Sequence, residues 1–227
     1  MAYADLPARL GQVRETIARH RALAGWGHEV RIVGVTKTHP AEAVRAAVAA
    51  GLADVGENRV QEALAKQDEV GGMPVRWHLI GSLQRNKARH AAGRFDLIHT
   101  VDRLDLGQEL SRRLAAGQRQ AVLVQVNCSA EPQKGGVDPA DLPQLLEGLG
   151  MLPGLEVRGL MTMAAFDADD GALRATFRLL RRLRDEGEDR GWVLPELSMG
   201  MSGDFPIAVE EGATMVRLGT VLFGERQ

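Results

Sequence analysis

The 227-residue chain has a single cysteine, Cys128, so no disulfide can form within it, and a lone thiol fits a reducing compartment. It lacks any run approaching the roughly 20 apolar residues that cross a bilayer. Residues 1–25 carry charges throughout and no apolar core of the kind that opens a secretory signal. An excess of positive charge is missing too. The 28 Lys and Arg stand against 30 Asp and Glu, a net charge of -2, whereas phosphate backbones select strongly basic faces. These absences argue against nucleic acid and membrane as partners and lead to the expectation of a cytoplasmic protein. No linker, low-complexity run or composition shift marks a second domain, so residues 1–227 are expected to form one domain.

What is present is an ordinary globular composition, 44% hydrophobic and 26% charged. Leu6, Leu10, Val13 and Ile17 recur at helical spacing with Arg9, Arg14, Glu15 and Arg19 between them, which predicts an amphipathic N-terminal helix. Short apolar runs follow at 30–36, 53–57, 75–81, 97–102, 121–127, 156–163, 196–200 and 215–219. Helical segments alternate with them at 40–51, 58–69, 84–92, 103–116, 139–148, 171–190, 204–211 and after 220. About eight βα units close a parallel barrel. The fold class expected is therefore α/β, a single (β/α)8 TIM barrel with an extra N-terminal helix. A doubly wound open sheet shares the alternation. However, no G-x-G-x-x-G fingerprint opens the first unit, and the spacing stays even to the end.

In such a barrel the active site lies at the C-terminal ends of the strands, and nearly every run here ends in polar residues. Lys37 follows the first, Glu57 and Asn58 the second, and His78 and Ser82 belong to the third. Asp102 follows the fourth, Asn127 and Cys128 the fifth, Met161 and Thr162 the sixth, and Ser202 the seventh. Arg217, Gly219 and Thr220 close the eighth. An ammonium group held at an apolar rim loses solvation, which lowers its pKa and supplies the free amine that condenses with an aldehyde. A surface lysine snorkelling from a strand end reads the same way. The turn S-M-G-M-S-G-D (198–204) runs into a helix start, where backbone N–H groups and the Ser202 hydroxyl make an anion site. R-L-G-T (217–220) adds a glycine and a hydroxyl donor after the last strand, a recurrent position for phosphate in this barrel. Either turn alone could be an ordinary βα connection.

Beyond these positions, the sequence resembles a known family. The motifs V-T-K-T-H-P (35–40), G-E-N-R-V-Q-E (56–62), W-H-L-I-G-S-L-Q-R-N-K (77–87), V-D-R-L (101–104), R-G-L-M-T-M (158–163), L-S-M-G-M-S-G-D (197–204) and M-V-R-L-G-T-V-L-F-G-E-R (215–226) are similar to those of the pyridoxal phosphate homeostasis proteins, in the same order over nearly the whole chain. The resemblance implies a fold-type III barrel like the N-terminal domain of alanine racemase, with pyridoxal 5′-phosphate as cofactor. It implies a Schiff base at Lys37, phosphate contacts from Ser202, Gly219 and Thr220, and Arg217 facing the pyridine nitrogen. It further places Asn58 and His78 near the cofactor, and Met201 is a candidate contact. The implied role is storage, protection or delivery of the cofactor, with amino acids and apoenzymes as transient partners. Two positions depart from the pattern: Arg59 stands where an aromatic residue is usual, and Cys128 where an aliphatic one is.

An enzyme of the same fold, such as an amino-acid racemase, is the alternative. An arginine at the pyridine nitrogen makes a weak electron sink, although alanine racemase works with one. Racemisation also needs a proton donor on each face, and each such group is worth roughly 100- to 10,000-fold. The racemases take the second donor from another domain as a tyrosine. The one tyrosine here, Tyr3, is expected in the N-terminal helix, which leaves Cys128, His78 and His39 as candidate donors. A carrier is the expected function, and a monomer the expected state. A sugar-phosphate isomerase that never forms an imine is a third reading. The basic stretch with Arg85, Lys87 and Arg89 reads as a solvated helix face, or as a secondary anion site used in cofactor transfer.

Overall fold

The computed structural model describes residues 3–129, 131 and 135–225, so Arg226, the last letter of the final motif above, lies outside them. Eight strands run β1 (Arg31–Val35), β2 (Asp54–Glu57), β3 (Arg76–Leu79), β4 (Leu97–Val101), β5 (Gln120–Gln125), β6 (Leu155–Met161), β7 (Glu196–Ser198) and β8 (Met215–Leu218). They pair in chain order, all parallel, and β8 returns to β1 to close the barrel. Closure rests on a continuous register in which Ile32 stands opposite Val216 and Gly34 opposite Leu218. An open doubly wound sheet has no such pairing between its first and last strands. Parallel neighbours require crossovers, and the crossover helices cover the outer face, so the strands are buried on both sides. β2, β4 and β8 accordingly have every residue buried.

The helices are α1 (Leu6–Ala24), α2 (Ala41–Ala49), α3 (Val60–Val70), α4 (Ala88–Ala91), α5 (Leu104–Arg113), α6 (Leu142–Gly150), α7 (Asp170–Asp189), α8 (Phe205–Glu210) and α9 (Thr220–Phe223). α1 buries Leu6, Leu10, Val13 and Ile17 and packs on α8 and α9. Each such burial contributes about 1.5–3 kcal/mol before entropy is counted. Two expected helices begin differently. The segment 84–92 is a 3-10 turn over Arg85–Lys87 followed by the single turn of α4, because only Ala88 and Ala91 anchor it to the core. α6 starts at Leu142 rather than 139: Pro143 sits in its first turn, where a missing N–H costs nothing. Tyr3 precedes α1 instead of lying within it, and it adopts a positive φ of 67°.

The barrel interior is a core of its own. Val33, Leu97, Leu123, Met161 and Met215 pack together inside it, apart from the larger cluster between strands and helices. Side chains along a strand alternate in direction, so Arg217 points the same way as Met215 but nearer the C-terminal mouth. Likewise His99 follows Leu97. A polar layer thus sits against an apolar one inside the same barrel.

Candidate functional site

At the C-terminal mouth lies a cavity of about 590 Å³. Lys37 reaches it from the turn after β1, half-buried. The root of that turn is pinned from below. Thr36 Oγ1 donates to Glu57 Oε1 at 2.6 Å, while Lys66 Nζ, from α3, donates to the Thr36 carbonyl at 2.7 Å and to Glu57 Oε1 at 2.6 Å. Burial pushes the Glu57 carboxyl up, against the lowering effect of hydrogen bonds from Lys66 and Thr36. Beyond the turn, Thr38 holds a left-handed φ of 67°, a sparsely populated conformation for a β-branched residue that its surroundings must enforce. Asn58 enters the cavity from the end of β2, and there Gly81 lies so close to the Asn58 carbonyl that a Cβ would overlap it.

The same cavity is lined by the turns after β7 and β8, the second of these on the strand that pairs with β1. Gly200 has a φ of +93°, and a Cβ on it would stand 2.6 Å from that of Ala208, so this bend admits only glycine. Asp204 caps the turn by accepting the Met201 N–H at 2.5 Å. These constraints deliver Ser202 to the last strand's loop, where its Oγ accepts the backbone N–H of Gly219 at 3.2 Å and of Val221 at 3.4 Å. Two N–H groups converging with a hydroxyl form a donor set suited to an anion. Arg217 lines the same cavity and is buried in the barrel. Its Nη1 donates to Ser198 Oγ at 2.7 Å and its Nη2 to the Thr162 carbonyl at 2.9 Å. Burial pulls its pKa down to about 10, with Asp204 opposing, so it stays cationic at neutral pH.

The cavity brings together Lys37, Asn58, Met201, Ser202, Arg217, Gly219 and Thr220, along with Ser82. His78 is placed elsewhere. It sits in mid-strand on β3, 2% exposed, bonded to His99 and Asp54 inside the barrel, and does not line the cavity. The family resemblance implied a place near the cofactor, whereas β3 runs on to Leu79 and the residues it brings to the mouth are Ile80, Gly81 and Ser82. Thr100 and Gln125 line the site and were missed, although their positions at the ends of β4 and β5 were a usable signal. Phe166, almost wholly exposed, covers one edge from the loop after β6, which no pattern in the sequence marked.

The other candidate donors stand away from the cavity. Cys128 is buried, and burial pushes its thiol up to about 11, so it behaves as a small apolar side chain. The Tyr3 hydroxyl is 3.1 Å from His39 Nδ1, and both rings pack on Phe223. Arg59 is exposed and paired with Glu62 at 3.1 Å. Arg85 and Arg89 lie exposed outside the cavity, with Lys87 beside them. A second depression of about 430 Å³, between α6 and α7 around Trp192, contains no comparable donor set. Among the described residues no helix is long and apolar enough to cross a membrane, and no three His, Cys, Asp or Glu residues are placed to hold a metal ion.

Comparison with known proteins agrees with this architecture. The family model of the alanine racemase N-terminal domain matches residues 9–227. The chain is 44% identical over 222 residues to the pyridoxal phosphate homeostasis protein of Aquifex aeolicus, covering 96% of this chain and 97% of that one. It is 45% identical over 224 residues to the protein of that name from Pseudomonas aeruginosa, covering 98% and 94%. Among solved structures, PipY of Synechococcus elongatus with pyridoxal phosphate bound superposes with a TM-score of 0.85 at 41% identity, covering 96% of this chain and all of that one. Alanine racemase of Clostridium difficile, at 14% identity and a TM-score of 0.74, shares the fold over 93% of this chain and 59% of its own.

Proposed function

The chain belongs to the pyridoxal phosphate homeostasis proteins, built on the alanine racemase N-terminal domain, and from that membership we propose that it holds pyridoxal 5′-phosphate at the barrel mouth by Lys37. The observation that carries this is the convergence of a lysine amine, a buried arginine and an N–H and hydroxyl cradle on one cavity of about 590 Å³, within the range of small-molecule sites. When bound, the cofactor supplies an aldehyde for amine condensation and a pyridine ring that can draw electrons. Ser202, Gly219 and Thr220 would take the phosphate, with the Val221 N–H close by. Lys37 would take the aldehyde end, Asn58 and Met201 the sides of the ring. Arg217 would face the ring nitrogen as a donor, since guanidinium has no acceptor to offer. The protein thereby takes part in cofactor homeostasis.

Holding rather than turnover fits the lining. Lys37 and Asp204 are its titratable groups besides Arg217, and no tyrosine, cysteine or histidine lines the cavity among the described residues. A second proton donor opposite Lys37 is what a racemase requires. We assign the whole of residues 1–227 to one cofactor-binding unit, monomeric and cytoplasmic, meeting amino acids and apoenzymes transiently. Borohydride treatment of the loaded protein should fix the cofactor to Lys37, detected by mass spectrometry of the peptide, and Lys37→Ala should abolish the label. Labelling at another lysine would overturn the assignment. D-alanine formed from L-alanine faster than by free cofactor would overturn the carrier reading. Sedimentation should give a single species of 24.6 kDa, and a dimer would sink the monomer assignment.

A further inference from the structure

The polar layer inside the barrel is continuous from the cavity to the opposite end. Arg217 Nη1 donates to Ser198 Oγ at 2.7 Å, and Ser198 Oγ is 2.9 Å from His99 Nδ1. His99 Nε2 is 2.9 Å from His78 Nδ1, and His78 Nε2 is 3.0 Å from Asp54 Oδ1. Asp54 begins β2 and is bridged by Arg76, whose Nε and Nη2 lie at 2.8 and 2.5 Å. Both line a solvent-open cleft with Arg14, Arg21 and Glu29 at the N-terminal face. His78, His99, Ser198 and Arg217 are at most 4% exposed.

Only one arrangement of protons satisfies the whole row. The Asp54 carboxylate accepts only, so His78 Nε2 must donate. A neutral His78 then leaves Nδ1 bare, to accept from His99 Nε2–H. His99 in turn has a bare Nδ1, which accepts the Ser198 hydroxyl proton, and Ser198 Oγ accepts from Arg217. Reversing the two histidines would require a doubly protonated His78 and would leave the serine proton without an acceptor in the row. Burial above all, with the charges of Arg217 and Arg31 adding to it, lowers the His99 pKa well below the ordinary imidazole value. The charged groups facing the row are Arg31 of β1, paired with Glu196 of β7 at 3.3 Å, Arg76 of β3, and Asp204 before α8.

We propose that Ser198, His99 and His78 are positioning residues for Arg217, forming a one-way row of hydrogen bonds that ends on Asp54. The row holds Arg217 as a donor toward the cavity and ties its charge to a carboxylate at the far end of the barrel. The inference rests on the reading that Arg217 faces the cofactor ring. Its consequence is that the ring nitrogen is met by an N–H and stays unprotonated, which favours holding the cofactor over drawing electrons from a substrate. Val33, Leu97, Leu123, Met161 and Met215 form an apolar cluster within the same barrel, so apolar side chains can fill such an interior without buried polar groups. Such groups persist inside proteins when every member is bonded.

The test uses the full chain labelled with 15N-histidine. Both rings should carry their proton on Nε2 without cofactor, and adding pyridoxal phosphate should shift the ring nitrogens of His99 and His78, neither of which lines the cavity. Ser198→Ala should remove the shift at His78 and weaken cofactor binding about tenfold, the worth of a hydrogen bond from a charged donor, and Ser198→Thr should restore both. A proton on Nδ1 of either ring in the wild type would overturn the proposal without any variant, as would a His78 shift that survives Ser198→Ala. Arg217→Gln separates the two readings through the absorbance of bound cofactor. A band unmoved by Arg217→Gln removes the assignment of Arg217 to the ring and the proposal with it. A band moved by Arg217→Gln but not by Ser198→Ala removes the row alone.

Discussion

Lys66 Nζ lies 2.6 Å from Glu57 Oε1, and this buried ion pair stands directly beneath the turn that carries Lys37. Lys66 bonds the carbonyl of Thr36, and Thr36 bonds the same carboxylate oxygen, so three side chains, from the turn after β1, from β2 and from α3, fix the backbone next to Lys37. The other carboxylate oxygen, Glu57 Oε2, has no hydrogen-bond partner among the described residues, which leaves the pair reliant on Lys66.

Removing one partner of a buried pair strands the other, at a cost of about 3–5 kcal/mol. Lys66→Met should therefore destabilise the protein by that order in urea unfolding, and Lys66→Met with Glu57→Gln together should recover part of it. A single variant as stable as the wild type would show that Glu57 is already neutral or resolvated.

The tie between Ser202 and the turn after β8 bears on the cofactor's phosphate. Ser202→Ala removes a hydroxyl but leaves the Gly219 and Val221 N–H groups in place, so binding should weaken about tenfold rather than vanish. Inorganic phosphate should compete with the cofactor in the wild type. Fluorescence titration reads both, and unchanged affinity in Ser202→Ala would place the phosphate elsewhere.

Asp54 supplies a pH dependence. Burial pushes its carboxyl up, but hydrogen bonds from Arg76 and His78 outweigh this and hold it at about 2 against an ordinary 3.8. A depressed folded pKa stabilises the fold above the unfolded value, and that contribution is lost as pH falls from about 4 toward 2. The difference amounts to about 2 kcal/mol. Asp54→Asn should be less stable at pH 7 and should show a shallower loss of stability over that window. Parallel curves for variant and wild type would refute the linkage.

Cys128 should be slow to react. With its thiol raised to about 11 by burial, the thiolate fraction at pH 8 is small. Iodoacetamide should label the folded protein far more slowly than the urea-unfolded chain. Equal rates would mean that Cys128 is exposed in solution.

Much of this was legible from the residues alone. The alternation of short apolar runs with amphipathic segments specified eight βα units, and polar residues at run ends pointed to Lys37, Ser202, Gly219 and Thr220. Both signals are local: strand and helix periods act over a few residues, and the chemistry of a strand end travels with its strand. Thr100 and Gln125 were readable by the same logic, since their strands end where the others do. Arg217 was found through its turn.

The tertiary structure decided what lies across the barrel from what. His78, His99, Ser198 and Asp54 sit on four different strands, and no spacing in the chain relates them. Closure of the sheet and the stagger of its register bring His78 opposite Leu97 on β4 and place Ser198 beside Met215 on β8. Until the strands close, a histidine in an apolar run cannot be assigned to the mouth or to the interior, because both lie on the same inward face. The depth of a residue along that face is what separates a cofactor contact from a member of the buried row, and only the closed barrel sets it.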